Sequence, residues 1–196
     1  MKKGWMILIG VVLVLFLIGR MFVGTRNSFV VKDEAVKTAW SQVENVYQRR
    51  ADLIPNLVQT VKGVASFEQE TFTAVAEARS KVNNINMAGV LDNPRKFQQF
   101  QASQGELSSA LSRLMVVVER YLELKANQNF LNLQAQLEGT ENRIAVERRR
   151  FNETSQAYNT AIRLFPGSII AGMSGFAQRA YFEAAAGAEQ APEVSF

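Results

Sequence analysis

Two stretches carry the side chains that could do chemistry. QRRADLIPNLVQTVKG, Gln48 to Gly63, sets Arg49, Arg50, Asp52 and Pro55 inside an apolar helical stripe. LEGTENRIAVERRR, Leu137 to Arg150, holds Glu138, Glu141, Arg143 and Glu147. What these groups can do is limited by what is missing: the 196-residue chain has no cysteine and no histidine. Thiol nucleophiles, His-based triads and the usual zinc ligands are therefore excluded, while carboxylate, lysine or tyrosine chemistry stays open. A di-metal carboxylate bundle needs Glu-x-x-His pairs on facing helices, so no metal or cofactor is expected. A glycosidase-like acid pair would need a cleft and a raised pKa, neither of which the sequence displays.

The other use of these charges is with one another. Arg50 falls on the buried stripe, and an unpaired buried charge is costly, so an acid should face it. The candidate polar core network is Arg50, Asp52, Glu138, Glu141, Arg143 and Glu147; for any one of them a solvated helix face is the alternative. Arg148, Arg149 and Arg150 are ~100° apart around a helix and cannot all point inward.

The elements that must position these residues follow from spacing. A three–four repeat runs Val36, Trp40, Val43, Tyr47, Ile54, Leu57, Val61, Val64, Val75 and Val82, with Arg50, Glu68 and Thr71 also at stripe positions. It predicts one long helix, kinked or divided between Asp52 and Asn56, because a proline inside a helix costs ~3 kcal/mol. A kink is preferred, since the stripe resumes in phase. NNINMAGVLDNP, Asn83 to Pro94, reads as a loop ending in an N-cap at Asp92 or Asn93. A second stripe runs Phe97, Phe100, Gln104, Leu107, Leu111, Leu114, Val118 and Tyr121. KANQN offers a weaker break with Asn127 or Asn129 as cap, and a third stripe places Phe130, Leu137, Ile144, Phe151, Tyr158 and Phe165 seven apart until Pro166 and Gly167. No segment alternates as a strand should. The fold class is all-α: an antiparallel bundle of three to four long helices behind an N-terminal transmembrane helix.

That helix is read from MKKGWMILIGVVLVLFLIGRMFVGTRN. From Trp5 to Val23 it can span a ~30 Å hydrocarbon core, if Arg20 snorkels at the far interface. No small-x-small site follows, so an uncleaved anchor over residues 1–26 is preferred to a signal peptide. Lys2 and Lys3 favour a cytoplasmic N-terminus, although Arg20, Arg26, Lys32 and Lys37 outnumber them beyond the span; the body is read as non-cytoplasmic. The bundle is assigned residues 27–186 and a flexible tail 187–196. Ser168 to Phe182 is apolar but too short to cross a membrane, and either caps the bundle or lies along a bilayer. PEVSF could add to a partner's edge or groove, or simply fray. Trp40, Phe176, Tyr181 and Phe196 are candidate interaction residues. The net charge of +4 suits an anionic membrane, and without a basic stripe interleaved with aromatics no nucleic-acid partner is expected.

AWSQVENVYQRRADLIPNLVQTVKG, LKANQNFLNLQAQLEGTENRIAVERRRFNETSQAYN, FP, YFEA and APEVSF, in this order, resemble the LemA family of bacterial membrane proteins. The resemblance implies a single-pass anchor in the bacterial inner membrane followed by an antiparallel helical bundle. It implies no catalytic activity; some branches are associated with membrane organelle formation and envelope functions. Its signature positions would be Trp40, Arg49, Arg50, Asp52, Pro55, Asn56, Asn127, Glu138, Glu141, Asn142, Arg143 and Asn159, read as structural or interaction residues. Leu122 stands where the family usually has proline, which suggests more continuous helix there, and Phe151 where tyrosine is common. The expected function is a membrane-anchored helical scaffold or interaction protein of the bacterial envelope, without catalytic activity, presenting its rod to protein partners or to copies of itself. Lipid-surface remodelling through Ser168 to Phe182 is the second reading, and a carboxylate enzyme the third.

Overall fold

The computed structural model describes residues 2–64 and 68–183. Helix α1, Lys2–Lys62, is 61 residues long, ~90 Å at 1.5 Å per residue. Residues 3–21 are exposed on every side, although this segment is almost wholly apolar. It is the one helix among the described residues long and apolar enough to cross a membrane, and a helix apolar all round with no protein cover belongs in lipid.

Beyond the span the chain folds into a four-helix bundle. α2, Gln69–Asn83, returns alongside α1; α3, Pro94–Val118, runs outward again; a single turn, α4, Leu122–Lys125, leads into α5, Gln128–Arg163, which returns the full length. Contacts fix these directions: Trp40 meets Phe97 and Phe151, whereas Arg50 meets Gln104 and Glu141. α3 is thus parallel to α1, and α5 antiparallel to both. The last helix among the described residues, α6, Gly167–Ser174, folds back against α1 and α5, and residues 176–183 follow without regular secondary structure.

Local chemistry explains the joints. The Asn93 Oδ1 accepts from the backbone N–H of Arg95 at 3.0 Å, with Pro94 in the first turn, and the Asn127 Oδ1 accepts from Asn129 at 3.0 Å. Gly89, with φ of 74°, allows the turn between α2 and α3. Pro55 does not divide α1. The carbonyl of Ala51, which a residue-55 N–H would otherwise meet, accepts from Arg79 Nε of α2 at 3.2 Å.

Three expectations are corrected. The stripe from Val36 to Val82 is two helices, because α1 ends at Lys62 and Gly63 before α2 starts at Gln69; the heptad phase carries across the hairpin and hides it. Leu122 does not extend α3: the chain breaks over Glu119 to Tyr121, and the fresh turn starts from Leu122. Phe165 leaves the core, 81% exposed, since α5 ends two residues earlier. The expected tail, 187–196, lies outside the described residues.

The apolar interior has two parts. The membrane-proximal part holds Phe29, Trp40, Tyr47, Phe97, Phe100, Phe151 and Tyr158, and the distal part Ile54, Leu57, Leu107, Leu111, Leu114, Phe130 and Leu137. α6 locks onto the first through Gly167, where an added Cβ would lie 2.5 Å from the Ala161 oxygen and 3.0 Å from the Phe29 ring. Gly167→Ala should therefore lower stability by about 1–3 kcal/mol, read as a drop in the thermal unfolding midpoint with unchanged helical content at low temperature.

Candidate functional site

Between the two apolar clusters lies a layer of polar side chains centred on Arg50, 1% exposed and the largest fully buried side chain in the bundle. Its Nη1 donates to Ser108 Oγ at 2.8 Å and Glu141 Oε1 at 2.9 Å. Nη2 donates to the Gln104 backbone carbonyl at 3.3 Å and to the Gln104 side-chain oxygen. The guanidinium also stacks over Tyr47, 5.0 Å from the ring centroid. One cation on α1 thus collects acceptors from α3 and α5 at a single level. The Glu141 side chain is 41% exposed, so this charge is balanced from the rim of the bundle, not by a second buried ion. Thr140 beside it turns its hydroxyl to the Gln136 carbonyl.

A second construction holds residues 176–183 to the surface of α5. Asn159 clasps the backbone of Arg179, its Nδ2 donating to the carbonyl and its Oδ1 accepting from the N–H, both at 2.8 Å. Asn152 clasps Phe182 in the same way, at 2.9 Å each. The asparagines are two helical turns apart, ~11 Å, and three residues of nearly extended chain cover ~10 Å, so the two repeats match. Tyr158 donates to the Ala177 carbonyl at 3.0 Å and Arg148 to that of Glu183 at 2.8 Å. Phe182 enters a nest of Trp40, Phe97, Phe100 and Phe151, with ring centroids 4.9–6.5 Å away, while Arg148 covers it at 4.7 Å. These residues form a strap tied along the bundle.

The strap brings Arg179 to Asp33, 2.6 Å from its Oδ1, and to Asp92. Lys37 reaches the other Asp33 oxygen at 3.0 Å. Burial alone would raise the Asp33 carboxyl, but the bonds from Arg179 and then Lys37 outweigh it and hold the group below the ordinary carboxylate range. Burial pushes the Tyr158 phenol up, and the Asp33 charge adds to that.

Of the six residues expected to form the polar network, the structure brings Arg50 and Glu141 together. Asp52 points to solvent and accepts from Gln48 at 2.8 Å. Glu138 is exposed, held by Gln134 at 3.0 Å. Arg143 is exposed, and Glu147, its side chain 16% exposed, accepts from Arg150 at 3.1 Å instead of meeting Arg50. The reason is phase: Asp52, Glu138 and Arg143 lie one or two residues from core positions and rotate away from them. Two interaction candidates are corrected. Trp40, 5% exposed, lies inside the aromatic nest and donates to Glu44 at 2.6 Å. Phe176 packs edge-on against Phe29 at 5.5 Å. Tyr181 is exposed, and Phe196 lies outside the described residues. Trp5 and Val23 lie on the uncovered part of α1. Sequence reasoning missed Asp33, Arg179 and the clasping role of Asn152 and Asn159; the seven-residue spacing of the two asparagines, each directly after an aromatic core position (Phe151 and Tyr158), was the available signal. Among the described residues no cluster of three acids stands ready for a metal ion.

A lipid-facing span continuous with the first helix of a four-helix bundle, with its charges clasped between helices, defines a membrane-associated helical protein. Residues 39–196 match the LemA family, and the chain belongs to it. It is 28% identical over 173 residues to the magnetosome protein MamQ of Magnetospirillum gryphiswaldense, covering 80% of this chain and 64% of that one. To the magnetosome protein MamQ 2 of Paramagnetospirillum magneticum it is 26% identical over 174 residues, with the same coverage. To protein LemA of Metamycoplasma hominis it is 23% identical over 145 residues, 74% of this chain and 63% of the relative. The chain thus spans a little under two thirds of the length of these relatives.

Arg50→Ala should cost about 3–5 kcal/mol, the loss expected when the partners of a buried ion are left unmet. In a double-mutant cycle with Glu141→Gln the coupling should be only about 1 kcal/mol, because Glu141 is partly solvated; chemical denaturation checks both. The depressed Asp33 carboxyl stabilises the fold above its unfolded pKa of ~3.9, and that contribution is lost as pH falls through the lower folded value. The stability gap between wild type and Asp33→Asn should therefore be constant from neutral pH to about 5 and close below ~4, as followed by unfolding midpoints across pH.

Proposed function

We propose that this protein is a non-catalytic scaffold of the bacterial inner membrane, tethered by a single span from Trp5 to Val23, whose rod meets protein partners and further copies of itself. The observation that carries the reading is the use of its charges. Arg50 and Arg179 are spent on Glu141, Asp33 and Asp92 within the bundle, and of the remaining acids of the Glu138 to Glu147 stretch Glu138 is exposed and Glu147 is held by Arg150. Such an arrangement supports a rigid body better than a reacting centre. Exposed apolar side chains at the membrane-distal end, Val116, Leu122 and Leu131, offer contact surface for a second copy. Lys2 and Lys3 ahead of the span support a body outside the cytoplasm.

The chain has no native cysteine, so Leu122→Cys gives a single reporter. A membrane-impermeant bis-maleimide added to intact spheroplasts should trap a discrete dimer band through Leu122→Cys and none through the exposed side position Ser109→Cys. Monomer alone, before and after lysis, contradicts self-association through this end. A dimer formed only after lysis contradicts the orientation and leaves the scaffold reading standing.

A further inference from the structure

α6 is apolar on both faces. Gly167, Ile170 and Ala171 are buried against the bundle. On the other side Ile169 and Met173, one turn apart, are 56% and 74% exposed, and Leu164 and Phe165 in the preceding turn are 61% and 81% exposed. A short uncharged helix with an apolar outer face is ordinarily covered by something.

The fold says where this patch lies along the membrane normal. Gly167 touches the Phe29 ring, and Phe22, inside the apolar run of α1, packs against the cluster that contains Ile170 and Ala171. Val23 ends that run, and Phe29 follows six residues later, ~9 Å along the helix. The headgroup layer of a bilayer is ~5–8 Å thick on each side of its hydrocarbon core. A helix packed at the level of Phe22 to Phe29 therefore stands in or against that layer whenever α1 spans.

Charge agrees with position. Residues 1–32 contain no acid, and neither do residues 154–182, the two segments that build this end of the bundle. Arg26 and Arg163 are exposed there and Lys32 is half-buried, whereas the nearest acids, Asp33, Glu34 and Asp92, are already paired with Lys37 or Arg179. An acid-free surface with exposed arginines complements anionic headgroups.

We infer that the α5–α6 tip is a second membrane contact, its Phe165, Ile169 and Met173 side chains seated in the interface of the same bilayer that α1 crosses. The strap enforces this, since its ties to α5 leave α6 no freedom to lift away. α1 is then held at two points in the membrane plane, which sets the tilt and rotation of the rod against the bilayer. The inference does not depend on the scaffold reading.

The test uses the full chain in phosphatidylcholine–phosphatidylglycerol vesicles, with an environment-sensitive fluorophore on Phe165→Cys, Ile169→Cys, Met173→Cys or, as a distal reference, Ser109→Cys. All four positions are exposed, so each variant should keep the wild-type circular dichroism. The three tip probes should emit at shorter wavelength than the reference and lose most of their emission when brominated lipid replaces ordinary lipid, with little quenching by aqueous iodide. Iodide quenching equal to the reference with no effect of brominated lipid overturns the inference. Shielding from both quenchers also overturns it, because the cover is then protein.

Discussion

The bundle depends on one buried cation meeting neutral and half-exposed acceptors at one level. Arg50 lies where a hydrophobic residue would be the simpler choice, and every helix packed around it supplies something only at that height: the carbonyl and amide oxygen of Gln104, the hydroxyl of Ser108, the carboxylate of Glu141. Apolar seams of leucine and valine tolerate sliding by a helical turn, since one methyl-lined layer resembles the next. A guanidinium with directional donors does not. Its Nε, buried without a partner, is a cost the layer bears, so the layer contributes specificity of register more than stability.

Pro55 belongs to the same arrangement. It removes a donor one turn below Arg50, and Arg79 of α2 answers the freed carbonyl of Ala51. α1 is thereby recognised from α3 and α5 by its side chain and from α2 by its backbone, within one turn. The charge and the proline that interrupt the stripe together specify neighbours. Toward the membrane a different device takes over: Asn152 and Asn159 read the backbone of the strap, Phe182 fills the nest around Trp40, and Arg179 closes on Asp33.

Much of this was legible in the sequence where periodicity carries it. The stripes through Phe97 to Val118 and Phe130 to Tyr158 place core residues because a seven-residue repeat on a capped helix leaves one face to bury. The Arg50–Glu141 pair could be narrowed to a few acids by the cost of burying a lone charge. Periodicity fails where a turn preserves phase, as at Gly63, and where a stripe outlasts its helix, as at Phe165. It is silent about the strap, because residues 176–183 have no repeat of their own; their order comes from contacts with side chains far away in sequence. Asp33 and Arg179, separated by nearly the whole bundle, were for that reason out of reach.

The central claim is that Arg50 sets the register of α1 against α5. Spin labels at the exposed positions Gln42→Cys and Arg149→Cys, measured by pulsed dipolar spectroscopy in the reconstituted full chain, report that register directly. The wild-type background should give one narrow distance, and adding Arg50→Met should broaden it or add a population displaced by about one turn, ~5.4 Å. A distribution as narrow and as centred with methionine as with arginine would contradict the account.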